Sequence, residues 1–246
     1  NMAKLKNYDN NLKKVTVLQR KENEPIGDYA SRVIEYNIIN MFLAPGTFIS
    51  EKIISEILNI SRTPVREAFS RLEKINFIEI YPQKATRVSL IDINIIDEMS
   101  FMRRTLEKEI IKIVCNKRAE KDLELLNDNI DKYKKNIKNN DLYKLLDIDN
   151  NFHKILFLID NKKLAYNIVK DSMKHLNRAR IFNIIEMDKN ETLTNRNRTL
   201  KEHQDILQAV KERNSKKAVS LIETHLTHVT EDLKLLKSKF PDYFKN

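Results

Sequence analysis

Two glycines, one cysteine and no tryptophan in 246 residues leave several familiar chemistries without their raw material. Gly27 and Gly46 are too few for a dinucleotide fingerprint or a phosphate-cradling loop, which need several positions where backbone approaches phosphate without a Cβ. That argues against nucleotide-cofactor enzymes. Cys115, the only cysteine, allows neither an intrachain disulfide framework nor a thiolate zinc site, and fits a reducing cytoplasm. No apolar run approaches the length that crosses a bilayer, and the opening NMAKLKNYDNNLKK lacks the apolar stretch of a signal peptide. A cytoplasmic protein without membrane contact is expected.

What the chain does have is charge of both signs and apolar residues throughout. The 45 Lys+Arg against 35 Asp+Glu leave +10 at neutral pH, which suits polyanionic partners, and 41% apolar residues supply a sizeable core. Residues 1–25 are polar and lack helical periodicity, predicting a flexible arm with at most a nascent strand at Val15 to Leu18. From Asp28, Tyr29, Val33, Ile34, Ile38 and Phe42 recur at helical steps until Ala44-Pro45-Gly46. A short helix over Glu51 to Leu58, a turn at Asn59-Ile60-Ser61 and a third helix over roughly Thr63 to Lys74 follow. The period then changes to two, over Phe77 to Tyr81 and Thr86 to Leu90. Three helices and a hairpin describe a winged helix-turn-helix over 26–90, whose third helix enters the major groove. Residues 91–240, without Gly or Pro as far as Lys239, read as an all-α bundle of six or seven helices, and 241–246 as a tail.

Arg62 opens the third helix and Arg66 follows one turn later, beside the buried stripe Val65, Ala68, Phe69, Leu72; Thr63 points away from that stripe. N-terminal residues of a recognition helix reach base edges, and the arginine fork donates two bonds to guanine or clamps a phosphate. Lys52 and Lys84 are placed to add phosphate contacts. Charge alone does not decide the matter: residues 26–90 hold eight Lys/Arg and seven Asp/Glu. The order of elements and the paired arginines do.

Three imidazoles and one carboxylate form the second signal. His203 lies within the stripe Leu200, Ile206, Leu207, Val210, and His225 among Ala218, Leu221, Ile222, Val229. A polar ring facing a core must find a partner or cost about 1–3 kcal/mol. Asp149 and His153, four apart, share a helix face. Together they make a constellation suited to a divalent ion, Zn²⁺, Ni²⁺ or Mn²⁺, although a core histidine taken by itself is more often a hydrogen-bonded structural residue than a ligand. His175 and His228 lie off these lines.

The run Pro45-Gly46-Thr47, Ile49-Ser50-Glu51, Ile60-Ser61-Arg62-Thr63-Pro64-Val65-Arg66-Glu67-Ala68, Leu72-Glu73, Pro82-Gln83-Lys84 and Val88 closely resembles the GntR family of bacterial transcription regulators. The resemblance implies DNA contacts from Ser61 and Gln83 as well. Asn59 and Asn76 stand where that family usually has Gly, and Asn is the residue that best tolerates left-handed backbone. Ala85 replaces a wing-tip glycine and has no such tolerance, so an altered or strained turn is expected. Residues 91–240 resemble the FCD domain of the FadR subfamily, through Arg103-Arg104-Thr105-Leu106-Glu107, Asp149-Asn150-Asn151-Phe152-His153, Glu202-His203-Gln204-Asp205-Ile206-Leu207 and Thr224-His225-Leu226. That resemblance implies that Asp149, His153, His203 and His225 hold a metal at which a small organic acid binds. Arg103, Arg178 and Arg180 then either meet the acid's carboxylate or form surface or intersubunit salt bridges. The implied protein is a homodimeric repressor on a double-stranded operator. The competing reading is a metal-dependent hydrolase, which lacks an evident general base.

Overall fold

The computed structural model describes residues 14–81, 85–139, 141–188 and 194–245. The chain divides into two compact units, one running to Asp92 and taking in the chain again from Phe240, the other Ile93–Lys239.

In the first unit, helix α1 (Ile26–Ile39) buries Tyr29, Ala30, Val33, Ile34 and Ile38 along one face. Asn37 lies on that face, fully buried, and its amide is used completely. It donates to Val33 O and Thr16 O and accepts from the Thr16 N–H at 2.7 Å. Val15 and Leu18 pack against the same core. Residues 14–25 are therefore docked and not a free arm, and no strand forms at Val15 to Leu18, because a side-chain amide takes the place of a neighbouring strand.

Helix α2 (Glu51–Leu58) starts where the Ser50 hydroxyl accepts from the Ile53 N–H, and ends at Asn59 with φ 51°. Helix α3 (Arg62–Lys74) carries Pro64 in its first turn, where no intrahelical partner is missed. It buries Val65, Ala68, Phe69 and Leu72. Asn76 follows at φ 58°, so both asparagines occupy left-handed backbone.

The hairpin is one part of a three-stranded antiparallel sheet. Strand β1 (Phe48–Ile49), absent from the sequence reading, pairs with β3 (Ala85–Val88), which also pairs with β2 (Ile78–Tyr81). Gly46, at φ 80°, directs its N–H to Val88 O at 2.8 Å and brings β1 alongside. Ala85 is paired opposite Tyr81 within the strand. The tip, Pro82, Gln83 and Lys84, lies outside the described residues. The supposed tail also belongs to this unit. The Ile91 N–H donates to Tyr243 O, the Lys245 N–H to Ile91 O, and Phe244 is buried.

The second unit is mostly α, as expected: α4 (Ile93–Lys117), α5 (Glu120–Asn139), α6 (Leu142–Ile159), α7 (Lys163–Ser172), α8 (Lys174–Asp188), α9 (Thr194–Lys211) and α10 (Ser215–Lys239). Asn161 and Arg213, at φ 55° and 53°, turn the chain after α6 and α9 without glycine. Ile111, Val114, Phe152, Leu156, Ile206, Val210 and Ile222 form the centre of its core. Asp149, His153, His203 and His225 are buried in the same unit.

Candidate metal centre and DNA-reading face

One donor atom from each of Asp149, His153, His203 and His225 lies within 4.8 Å of the other three. Helix periodicity places Asp149 and His153 on one face of α6, while α9 and α10 supply the other two rings. His153 Nε2 and His225 Nε2 are 3.2 Å apart, His203 Nε2 is 3.4 Å from Asp149 Oδ1, and His225 Nε2 is 3.9 Å from the same oxygen. Despite these approaches, Asp149 Oδ1 and both ring nitrogens of His203 have no partner with hydrogen-bond geometry. Leaving such atoms unsatisfied costs about 1–3 kcal/mol each. Convergent imidazole nitrogens and a carboxylate oxygen, buried and short of partners, are a donor set that fits a divalent ion.

The protonation states suit the same role. Burial pushes the Glu107 carboxyl up, but Arg103 and His153 beside it bring it down to about 2. Burial, with Arg103 nearby, takes His153 down to about 3 against the pull of Glu107 and Asp149. Burial likewise lowers His203. Asp149, although buried, is held well below the usual carboxylate range by Arg180, His203 and His153. Neutral imidazoles and an ionised carboxylate are the ligand forms. A stability consequence follows for native His153, lowered from the ordinary 6.5. Below 6.5 the unfolded chain takes up a proton that the native chain refuses, so stability falls with pH from 6.5 toward 3. This one group is expected to contribute a loss of about 2 kcal/mol between pH 6.5 and 5. Urea unfolding of the full chain across that window measures it, and a pH-independent midpoint would contradict it.

The three arginines singled out in the sequence go to three different places. Arg180 forms an ion pair with Asp149, donates to Asn150 Oδ1 at 3.1 Å, and lines a cavity of about 70 Å³. Arg103 is buried and committed to Glu107 at 2.6 Å. Arg178 is buried with all three guanidinium nitrogens unpartnered, and burial brings it down to about 9. Neither Arg103 nor Arg178 lines the cavity, whose wall instead combines Asp149 and His225 with Arg180, Arg196, Arg198 and His228. The sequence reading missed Arg196 and Arg198. Their only signal was the basic run Arg196-Asn197-Arg198 just before His203.

On the first unit, Ser61, Arg62, Thr63 and Arg66 are all exposed along the start of α3, as is Lys52 on α2. The Ser61 side chain makes no capping bond. Arg66 is 73% exposed and its Nε and Nη2 each reach Glu51 at 3.0 Å. Glu51 was not among the residues singled out; it aims the guanidinium across from the neighbouring helix. Gln83 and Lys84 lie outside the described residues.

Residues 30–88 match the model of the bacterial regulatory proteins of the gntR family, and residues 98–228 that of the FCD domain. The chain belongs to the GntR family of regulators that carry an FCD domain. The HTH-type transcriptional repressor RspR of Escherichia coli K12 is 26% identical over 226 residues, covering 92% of this chain and 96% of that one. YdhC of Bacillus subtilis, an HTH-type transcriptional regulator, is 25% identical over 198 residues, 80% of this chain and 86% of its own. Among solved structures, E. coli McbR/YncC superposes with a TM-score of 0.70 over 87% of this chain and 99% of its own, at 16% identity, a likeness of fold. This GntR-family chain is thus a DNA-binding transcriptional regulator. Its relatives are regulators and not enzymes, and the hydrolase reading has no support among them.

Proposed function

We propose that this regulator is a repressor whose operator affinity is set by a small carboxylic acid bound beside a divalent metal in the helical unit. The observation that carries the reading is the adjoining of a partner-poor Asp149/His203 cluster and a cavity walled by Arg180, Arg196 and Arg198. Guanidinium groups complement carboxylates in charge and in planar geometry. At about 70 Å³ the space takes roughly five water-sized volumes, which suits an acid of few carbons. Asp149, His153, His203 and His225 would hold Zn²⁺, Ni²⁺ or Mn²⁺, and such an ion supplies a Lewis-acid position for a carboxylate oxygen. Arg180 orients Asp149 and faces the cavity, whereas Arg103 is already committed to Glu107. Arg178, buried and unpartnered, lies outside the cavity wall, so of the three arginines Arg180 is the one set to meet the acid.

On the DNA side, Arg62, Thr63 and Arg66 read base edges with Ser61 beside them, Lys52 takes a phosphate, and Gln83 and Lys84, between β2 and β3 in the sequence, add further DNA contacts. A homodimer in the cytoplasm presents two such heads to a palindromic site. Repression is supported by the repressor name of RspR, and its release by the acid is the sense of regulation proposed. Elemental analysis of the purified protein should find one divalent ion per chain, and a thermal-shift screen of hydroxy acids, sugar acids and dicarboxylates should find a stabilising acid. A chain without metal, unresponsive to added Zn²⁺, Ni²⁺ and Mn²⁺, would overturn the metal part of the reading.

A further inference from the structure

Two carboxylates outside the ligand set occupy equivalent positions behind it. Glu107 Oε2 lies 2.5 Å from His153 Nδ1, and Glu202 Oε2 lies 2.6 Å from His225 Nδ1. They come from different helices, α4 and α9, and each meets the ring nitrogen opposite the Nε2 that faces the cluster. An ionised carboxylate only accepts, so each contact places the imidazole hydrogen on Nδ1 and the lone pair on Nε2, directed at the shared point. Both carboxylates are themselves held. Arg103, one helical turn earlier on α4, donates from Nε to Glu107 Oε1 at 2.6 Å. Glu202 has its other oxygen 2.6 Å from Nδ1 of His228, a residue of the cavity wall. His203 is oriented differently. Neither of its nitrogens has a partner with hydrogen-bond geometry, and its ring stacks on Phe152 at 3.9 Å and 9°.

We propose that Glu107 and Glu202 are positioning residues of the metal centre, each fixing the tautomer and ring direction of one ligand histidine. The proposal rests on the metal-site reading above. It also gives Arg103 its role, as the clamp on Glu107 and not as a contact of the acid. The competing role for Glu107 is only to neutralise Arg103, and for Glu202 only to balance Arg198 at 3.8 Å. A charge-balancing role would not dictate which ring nitrogen carries hydrogen.

The test uses full-length protein with ¹⁵N-labelled histidine and the variants Glu202→Ala, Glu202→Gln and Glu107→Gln. Glu107→Ala is avoided because it would strand buried Arg103. Two-bond ¹⁵N–¹H spectra of the metal-stripped protein read the tautomers directly. Competition titration with Zn²⁺ reads affinity. In wild type, His153 and His225 should both carry hydrogen on Nδ1. Glu202→Ala should turn His225 into a tautomer mixture and weaken Zn²⁺ binding about 10–100-fold. The glutamine variants, which keep an acceptor oxygen, should retain the wild-type tautomer and lose much less affinity. Wild-type tautomer at His225 in Glu202→Ala overturns the proposal, whether or not affinity falls. If instead wild type takes up no Zn²⁺, Ni²⁺ or Mn²⁺ while the tautomers respond as described, the metal-site reading fails and the positioning of the rings stands.

Discussion

Alanine at His203 is expected to weaken Zn²⁺ binding by more than the roughly 100-fold that loss of an orienting neighbour produces, because it removes a ligand outright. The one polar group that His203 approaches is Asp149 Oδ1, at 3.4 Å and short of hydrogen-bond geometry, and the Phe152 ring and the surrounding apolar side chains remain to close the core. The helical unit should therefore fold. A metal bound only by the native state stabilises it by about 2.7 kcal/mol at a hundred times its dissociation constant, which corresponds to about 5–10 °C in melting temperature for a unit of this size. Wild type should show that rise on adding Zn²⁺ and lose it on chelation, while His203→Ala shows neither. A variant that still gains the full increment would remove His203 from the ligand set.

Arg66→Ala is the other substitution with a large expected effect. Arg66 is exposed beside the stripe that α3 buries, so the fold does not depend on it. Its guanidinium is presented by Glu51 from α2, which restricts the fork before DNA arrives. A base contact of this kind discriminates by about 1–3 kcal/mol, so the variant should lose about 5- to 150-fold in affinity for its operator and become indifferent to the base at one position of each half-site. Selection from a random duplex pool measures both. An unchanged base preference would take Arg66 out of the reading role. A uniform loss over all sequences, with a shallower salt dependence, would make it a phosphate contact.

The parts of this protein that were legible in advance are those with a period. The buried stripes of α1 and α3, the switch to alternation at β2 and β3, and the long helices after Ile91 all follow from the spacing of apolar residues. Asp149 and His153 announced themselves by a separation of four, and His203 and His225 by standing in apolar stripes. What escaped has no local signature. Strand β1 is two residues long and exists because Gly46 turns the chain against Val88. Asn37 docks Thr16, 21 residues earlier, through a side-chain amide. Glu107 meets a histidine 46 positions away, and Glu202, although adjacent to His203, serves His225 on the next helix. Side-chain pairing across helices depends on which faces meet, and spacing along one helix does not encode it.

The central claim is that occupancy of the metal and acid site sets operator affinity. Fluorescence anisotropy of a labelled operator duplex tests it, with Zn²⁺-loaded wild type and His203→Ala titrated side by side in the presence and absence of each acid in the screen. Coupling between sites of this kind is typically 1–3 kcal/mol. At least one acid should therefore raise the wild-type dissociation constant about 5- to 150-fold, while His203→Ala binds the duplex close to wild type and ignores the acid. An acid that stabilises the protein yet leaves wild-type operator binding unmoved, or that moves both proteins equally, would contradict the claim.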